Sequence, residues 1–184
     1  MRLAWLLALA ACSSPPKPAA DLGTIGVVAT EYDAVKMTQA PLGAQLALVR
    51  PPQGGYVVFV GARVTGFAAP TTVELTGLLK NGATVISQDA RTVTLQQAPD
   101  DANVWIPDLR SITTVSNIAV CPSNSTTDRV NASFTLEVQV LDRATGRMGV
   151  ADQTTQLVCT QSDATVQQNC VCECQGNFMV GKCP

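Results

Sequence analysis

The sequence predicts an all-β protein: an immunoglobulin-like two-sheet sandwich followed by a short disulfide-rich C-terminal tail. Three observations lead there. Between residues 42 and 160, short runs rich in Val, Ile, Thr and Leu alternate apolar with polar positions, the period of a strand with one buried face. Turn signals separate these runs about every 8–12 residues, the spacing of a sandwich. No stretch beyond the first dozen residues repeats its apolar positions at the helical period.

The chain opens MRLAWLLALAAC. Arg2 precedes an apolar run, Leu3 to Leu9, and then small residues, the layout of an export signal. That run is too short to cross a hydrocarbon core, which takes about 20 apolar residues, so residues 1–11 read as a cleaved leader. Leu9-Ala10-Ala11-Cys12 resembles the lipobox of bacterial lipoproteins. The resemblance implies that Cys12 is acylated, becomes the new N-terminus and partners the membrane. Each buried CH₂ contributes about 0.8 kcal/mol, so two or three chains anchor stably where one does not. Ser13 comes next, and in Gram-negative lipoprotein sorting Ser there goes with outer-membrane delivery, whereas Asp favours inner-membrane retention. The implied location is therefore the bacterial cell envelope, at the outer membrane. Residues Ser13 to Asp21, SSPPKPAAD, read as an extended tether. Residues 12–41 thus comprise the lipidated N-terminus, the tether and a leading strand that begins in the β-rich run Thr24 to Thr30.

The sandwich proper is expected over residues 42–160. Ala44 to Arg50 and Gly55 to Val64 open it. In the second of these, Val58, Val60, Ala62 and Val64 share a face, while Val57 and Phe59 on the other face imply burial on both sides at its start. Val73, Leu75, Gly77 and Leu79 alternate with Glu74, Thr76 and Leu78. Lys80-Asn81-Gly82 then signals a hairpin, because Asn-Gly tolerates the positive φ of a tight I′ turn. The return is expected as two strands, Ala83 to Gln88 and Thr92 to Gln96, before the polar break APDDAN at residues 98–103. Trp105 suits a sandwich core, and Pro107 marks a strand end or edge. FTLEVQV alternates most clearly, with Phe134, Leu136, Val138 and Val140 on one face. DRATGR at residues 142–147 is its turn, which places Asp142 in a hairpin, and Gly149 to Cys159 is the returning strand.

Composition restricts the chemistry. The formal charge is −2, aromatic residues make up 4%, and no basic run occurs, so no nucleic-acid partner is expected. There is no histidine. That removes Ser-His-Asp and Cys-His nucleophilic systems and nearly all catalytic zinc arrangements. Among the scattered carboxylates no pair stands out as a glycosidase would require. Asp100-Asp101 reads as a solvated loop, with weak calcium binding as the sharper alternative. No catalytic residue and no cofactor are expected.

Seven cysteines are present. With Cys12 taken by lipid, an even set is left: Cys121, Cys159, Cys170, Cys172, Cys174 and Cys183. An exported chain oxidises such a set to disulfides. Three of them lie at alternate positions in NCVCECQGNFMVGKCP, residues 169–184. In an extended segment those three would share a face, and bridging neighbours would strain a very small ring. Six cysteines permit 15 pairings. The preferred one joins Cys121 to Cys159, worth about 4 kcal/mol of loop entropy, and pairs the residues 161–184 tail internally through Cys183. A metal reading stays open, with Cys170, Cys172, Cys174 and Cys183 as thiolates and Met179 as a soft thioether. One-residue spacing departs, however, from the usual C-x₂₋₄-C of zinc sites and from the C-x-x-C of redox motifs. The stretch C-x-C-x₈-C resembles the second half of an epidermal-growth-factor-like module, but the upstream spacing does not.

Leader, tether, sandwich and stapled tail together resemble bacterial surface lipoproteins. The functional expectation is a membrane-anchored, non-catalytic module that binds a protein or glycan partner or supports envelope assembly. The alternative is a metal-handling lipoprotein that uses the C-terminal cysteines.

Overall fold

The strand Tyr56–Val64 organises the molecule. Seven of its nine residues are fully apolar, and burial takes both faces, with Tyr56, Val60, Ala62 and Val64 all at 0% exposure. A strand covered on both sides must have a layer above and another below, and the rest of the chain supplies them. The computed structural model describes residues 25–32, 37–40, 45–123 and 126–183. The leader, Cys12, Ser13 and the tether lie outside the described residues.

Ten strands and one helix follow in order among the described residues. The strands are β1 (Ile25–Tyr32), β2 (Met37–Ala40), β3 (Leu46–Ala47), β4 (Tyr56–Val64), β5 (Thr71–Asn81), β6 (Thr84–Gln97), β7 (Trp105–Ile106), β8 (Ser116–Cys121), β9 (Ser133–Asp142) and β10 (Arg147–Val158). The helix is α1 (Ala164–Glu173). Among the described residues the fold is all-β apart from this single helix. The ladder does not, however, divide into two separate sheets: hydrogen bonds run continuously in the order β2-β1-β4-β7-β6-β5-β9-β10-β3, with β8 added beside β4. Neighbours are antiparallel except β3 and β10, which pair in parallel through Leu46–Leu157 and Ala47–Val158.

β6 makes the sheet continuous. The sequence suggested two strands here, broken near Asp89, but a single strand of 14 residues forms. Asp89 does not turn the chain because its polar groups are satisfied in place. Its carboxylate accepts the Asn117 amide at 2.8 Å and the Arg91 guanidinium at 2.8 Å, and its carbonyl accepts the Ser116 hydroxyl. The strand thus pairs with β5 along most of its length, lies against β8 at its middle, and reaches β7 at Gln96 and Gln97.

The hairpin between β5 and β6 forms where Asn-Gly indicated, shifted by one residue. Asn81 pairs with Thr84, which leaves Gly82-Ala83 as the two-residue loop. Gly82 has φ +58° and Ala83 is not among the positive-φ residues. A positive φ at the first central position only belongs to a II′ turn, not the expected I′. The β9–β10 turn matches its reading: the Gly146 amide donates to the Asp142 carbonyl at 2.7 Å. Asp142, 2% exposed, accepts from the Ala144 amide, the Thr145 hydroxyl and the Arg147 guanidinium. These donors, the Thr145 hydroxyl first, hold its carboxyl below the usual carboxylate range.

The main core joins the alternating residues Val58, Val60, Ala62 and Val64 of β4 to Val73, Leu75 and Leu79 of β5 and to Phe134, Leu136, Val138 and Val140 of β9. Burying side chains of this size contributes about 1.5–3 kcal/mol apiece. Trp105 belongs to this core, 5% exposed, and its indole N–H donates to the Phe67 carbonyl at 2.9 Å. On the other face of β4, Val57 and Phe59 pack with Val115 under Val49, Leu109 and Ile112. β5 and β8 approach closely at Gly77, where an added Cβ would lie 2.5 Å from the Ser116 hydroxyl oxygen.

Candidate functional site

The six cysteines other than Cys12 meet at one end of the body, and a helix brings them there. Residues 164–173 lack an apolar helical stripe, so no helix is expected there from the sequence. The helix forms through its start and its sulfur face. Asp163 caps it, its carboxylate accepting the Thr165 and Val166 amides at 2.9 Å, an arrangement worth about 1 kcal/mol. Gln167 bonds back to the Cys159 carbonyl and accepts the Gln161 amide, which ties the first turn to the end of β10.

Helical geometry then sorts the cysteines. At 100° per residue, Cys170 and Cys174 fall on one side and Cys172 on the opposite side. Cys170 and Cys174 point into the body, at 0% and 1% exposure, and join the main core. This decides the pairing. Cys121 bonds Cys174, Cys159 bonds Cys170 and Cys172 bonds Cys183. The expected Cys121–Cys159 bridge is not made, because α1 inserts an inward cysteine opposite each of them. The tail-internal bridge through Cys183 does form, with Cys172 as its partner. The signal that could have located the helix was Asp163 as a cap, followed by cysteines at i and i+4 counted as apolar residues.

Non-sulfur contacts also seat the tail. The Tyr56 hydroxyl donates to the Val166 carbonyl at 3.1 Å. Burial, and then the negative charge of Glu173, push this phenol above its ordinary value, which keeps it a donor. The Arg129 amide donates to the Cys174 carbonyl at 2.8 Å, and the Gly176 amide donates to the Asp128 carboxylate at 2.7 Å. Gly176 lies so close to this loop that an added Cβ would be 2.1 Å from the Thr126 carbonyl oxygen. Arg129 is itself buried, with its guanidinium 5.8 Å from the Phe134 ring centre, and burial lowers its pKa.

Beyond the helix, the loop closed by Cys172–Cys183 carries Met179 and Val180, 61% and 91% exposed. The metal set read from the sequence is split by this arrangement, since Cys172 and Cys183 bond each other away from Cys170 and Cys174. The structure gathers a different set: the sulfurs of Cys159, Cys170 and Cys174 all lie within 4.8 Å of one another. As disulfides none of the six offers a thiolate. The Asp100-Asp101 pair is engaged elsewhere, with Asp100 on Arg63 at 3.0 Å and Asp101 accepting the Asn103 amide.

No helix among the described residues is long and apolar enough to cross a membrane. No protein-family model matches the chain, and comparison with curated proteins finds no significant match.

Proposed function

We propose that this chain is an exported bacterial lipoprotein, anchored through Cys12 at the outer membrane, whose β body acts as a non-catalytic binding or envelope-assembly module. The observation that carries the reading is the complete pairing of Cys121, Cys159, Cys170, Cys172, Cys174 and Cys183. Disulfides persist in exported proteins and are reduced in the cytosol, so the pairing agrees with the leader. It also leaves Cys12 as the one cysteine free to take lipid.

The two ends of the body then differ in role. β1 begins at Ile25 against Val64, the far end of β4 from Tyr56 and the disulfides. The nine-residue strand sets those ends about 26–27 Å apart at the usual rise. β1 thus begins at the end of β4 opposite Tyr56, and the Cys172–Cys183 loop follows α1, which Tyr56 contacts. Met179 and Val180 supply apolar contact area on a loop already ordered by its bridge, which lowers the entropy cost of binding.

Replacing Cys12 by Ser in the full chain is expected to move the protein from the membrane to the soluble fraction, with loss of the acyl mass on residue 12. Undiminished membrane attachment refutes the anchor. Site-specific photo-crosslinking from position 180 in intact envelopes tests the contact face. A discrete adduct abolished by Met179→Glu is the expected result, and no adduct from that position refutes it.

A further inference from the structure

We propose that, once their two disulfides are reduced, Cys121, Cys159, Cys170 and Cys174 form a four-thiolate site for Zn²⁺. The starting point is the sulfur cluster: Cys159, Cys170 and Cys174 lie within 4.8 Å of one another, and Cys121 is bonded to Cys174. A tetrahedral zinc site has Zn–S distances of about 2.3 Å, which sets its sulfurs about 3.8 Å apart. Reduction frees each bonded pair to relax to that separation without moving its backbone far, because the Cα atoms stand 5.0 Å and 5.9 Å apart.

The scaffold for this site does not consist of sulfur alone. Cys121 ends β8 and is paired with Tyr56. Cys159 follows β10 directly, where the Asn131 amide holds the Leu157 carbonyl at 2.9 Å. Cys170 and Cys174 share one face of α1, held by the Asp163 cap, the Tyr56 hydroxyl and the Arg129 amide. Two ligands from one helix face and two from strand ends converge from different directions, as a tetrahedral site requires. The Arg129 backbone amide, donating to the Cys174 carbonyl at 2.8 Å, fixes the end of α1 that carries this ligand. Cys172, on the outer side of the helix, could join only if α1 unwound. The half-exposed Cys159 gives the ion a way in.

The chemistry balances with a phosphine as reductant. Each phosphine takes an oxygen from water, becomes the oxide and passes two electrons and two protons to one disulfide, yielding two thiols. Zn²⁺ then displaces the four thiol protons. The site belongs to the chain before oxidation, and metal binding and disulfide formation compete for the same sulfurs.

The test uses the full chain, reduced anaerobically with phosphine and carrying Cys12→Ser throughout, with Co²⁺ as the optical probe. One form adds Cys172→Ser and Cys183→Ser and keeps the four core thiols. The other adds Cys121→Ser and Cys159→Ser and keeps the four tail thiols. The core form is expected to bind one equivalent of Co²⁺ with thiolate charge-transfer and tetrahedral d–d bands, to release it to Zn²⁺, and to bind tighter than the tail form by about tenfold or more. Equal affinity in the two forms, absence of the tetrahedral spectrum, or binding by a core form that lacks native near-ultraviolet dichroism overturns the proposal.

Discussion

Removing the Cys121–Cys174 bridge should cost far more than removing Cys172–Cys183, although both are single disulfides in the same tail. The first closes a loop with a sequence separation of 53 and the second one of 11. The chain-entropy relation assigns about 4 kcal/mol to the longer loop and about 3 kcal/mol to the shorter. The structure widens that gap. Cys121 and Cys174 are 4% and 1% exposed and sit in the main core, so their bridge constrains parts that stay ordered in the native state. The short loop is largely exposed, with Val180 at 91%. Once cut, its terminal segment gains freedom in the folded state as well as the unfolded one, and most of its 3 kcal/mol cancels.

The double substitution Cys121→Ala/Cys174→Ala should therefore lose about 4 kcal/mol, a large share of an ordinary 5–15 kcal/mol stability. In melting temperature that is about 8–16 °C for a domain of this size. Cys172→Ser/Cys183→Ser should lose under about 1 kcal/mol, since only exposed contacts change. Denaturant titration followed by the fluorescence of Trp105, which reports the core, measures both. Equal losses in the two variants, or a larger loss for the outer pair, would refute the idea that the inner bridge is the one that fastens the tail to the body.

Three further outcomes follow from single contacts. Gly77→Ala should destabilise the fold by about 1–3 kcal/mol, because its Cβ would meet the Ser116 hydroxyl at 2.5 Å and Ile118 at 3.0 Å; an unchanged denaturation midpoint refutes the close β5–β8 approach. Asp163→Ala should cost about 1 kcal/mol and accelerate amide exchange at Thr165 and Val166, with β9 unaffected; uniform exchange changes would contradict a local cap. The carboxyl of Asp142 titrates below its unfolded value of about 3.9, so it contributes stability above that pH and loses it as pH falls through the lower folded value. Asp142→Asn should accordingly flatten the acid limb of the stability curve below about pH 4, and an acid limb identical to that of the parent chain counts against the assignment.

Much of the β body was legible from local pattern. Phe134, Leu136, Val138 and Val140 alternate and are buried, and Val57 and Phe59 correctly implied a strand covered on both sides. The DRATGR turn stood where Gly146 placed it, and the β5–β6 hairpin formed within one residue of its Asn-Gly signal, with a II′ rather than a I′ loop. These features depend on period-two patterning and on φ, which the residues themselves impose. Asp89 shows the limit of such reading. A polar residue inside an apolar strand looks like a break until a partner from another strand satisfies it, and here that partner is the Asn117 amide.

The cysteine count, the leader pattern and the missing histidine were properties of the sequence alone, and so was the even set that disulfides require. Which sulfur met which was decided only in three dimensions. Alternate spacing in a strand would have put Cys170, Cys172 and Cys174 on one face; the helix that forms turns Cys172 outward and leaves the other two inward. That helix has little apolar stripe to announce it. Its stability comes from the local Asp163 cap, from Tyr56 more than a hundred positions away, and from a core that accepts sulfur. Pairing follows from which side chains face each other, and that depends on packing across the chain, which local sequence does not encode.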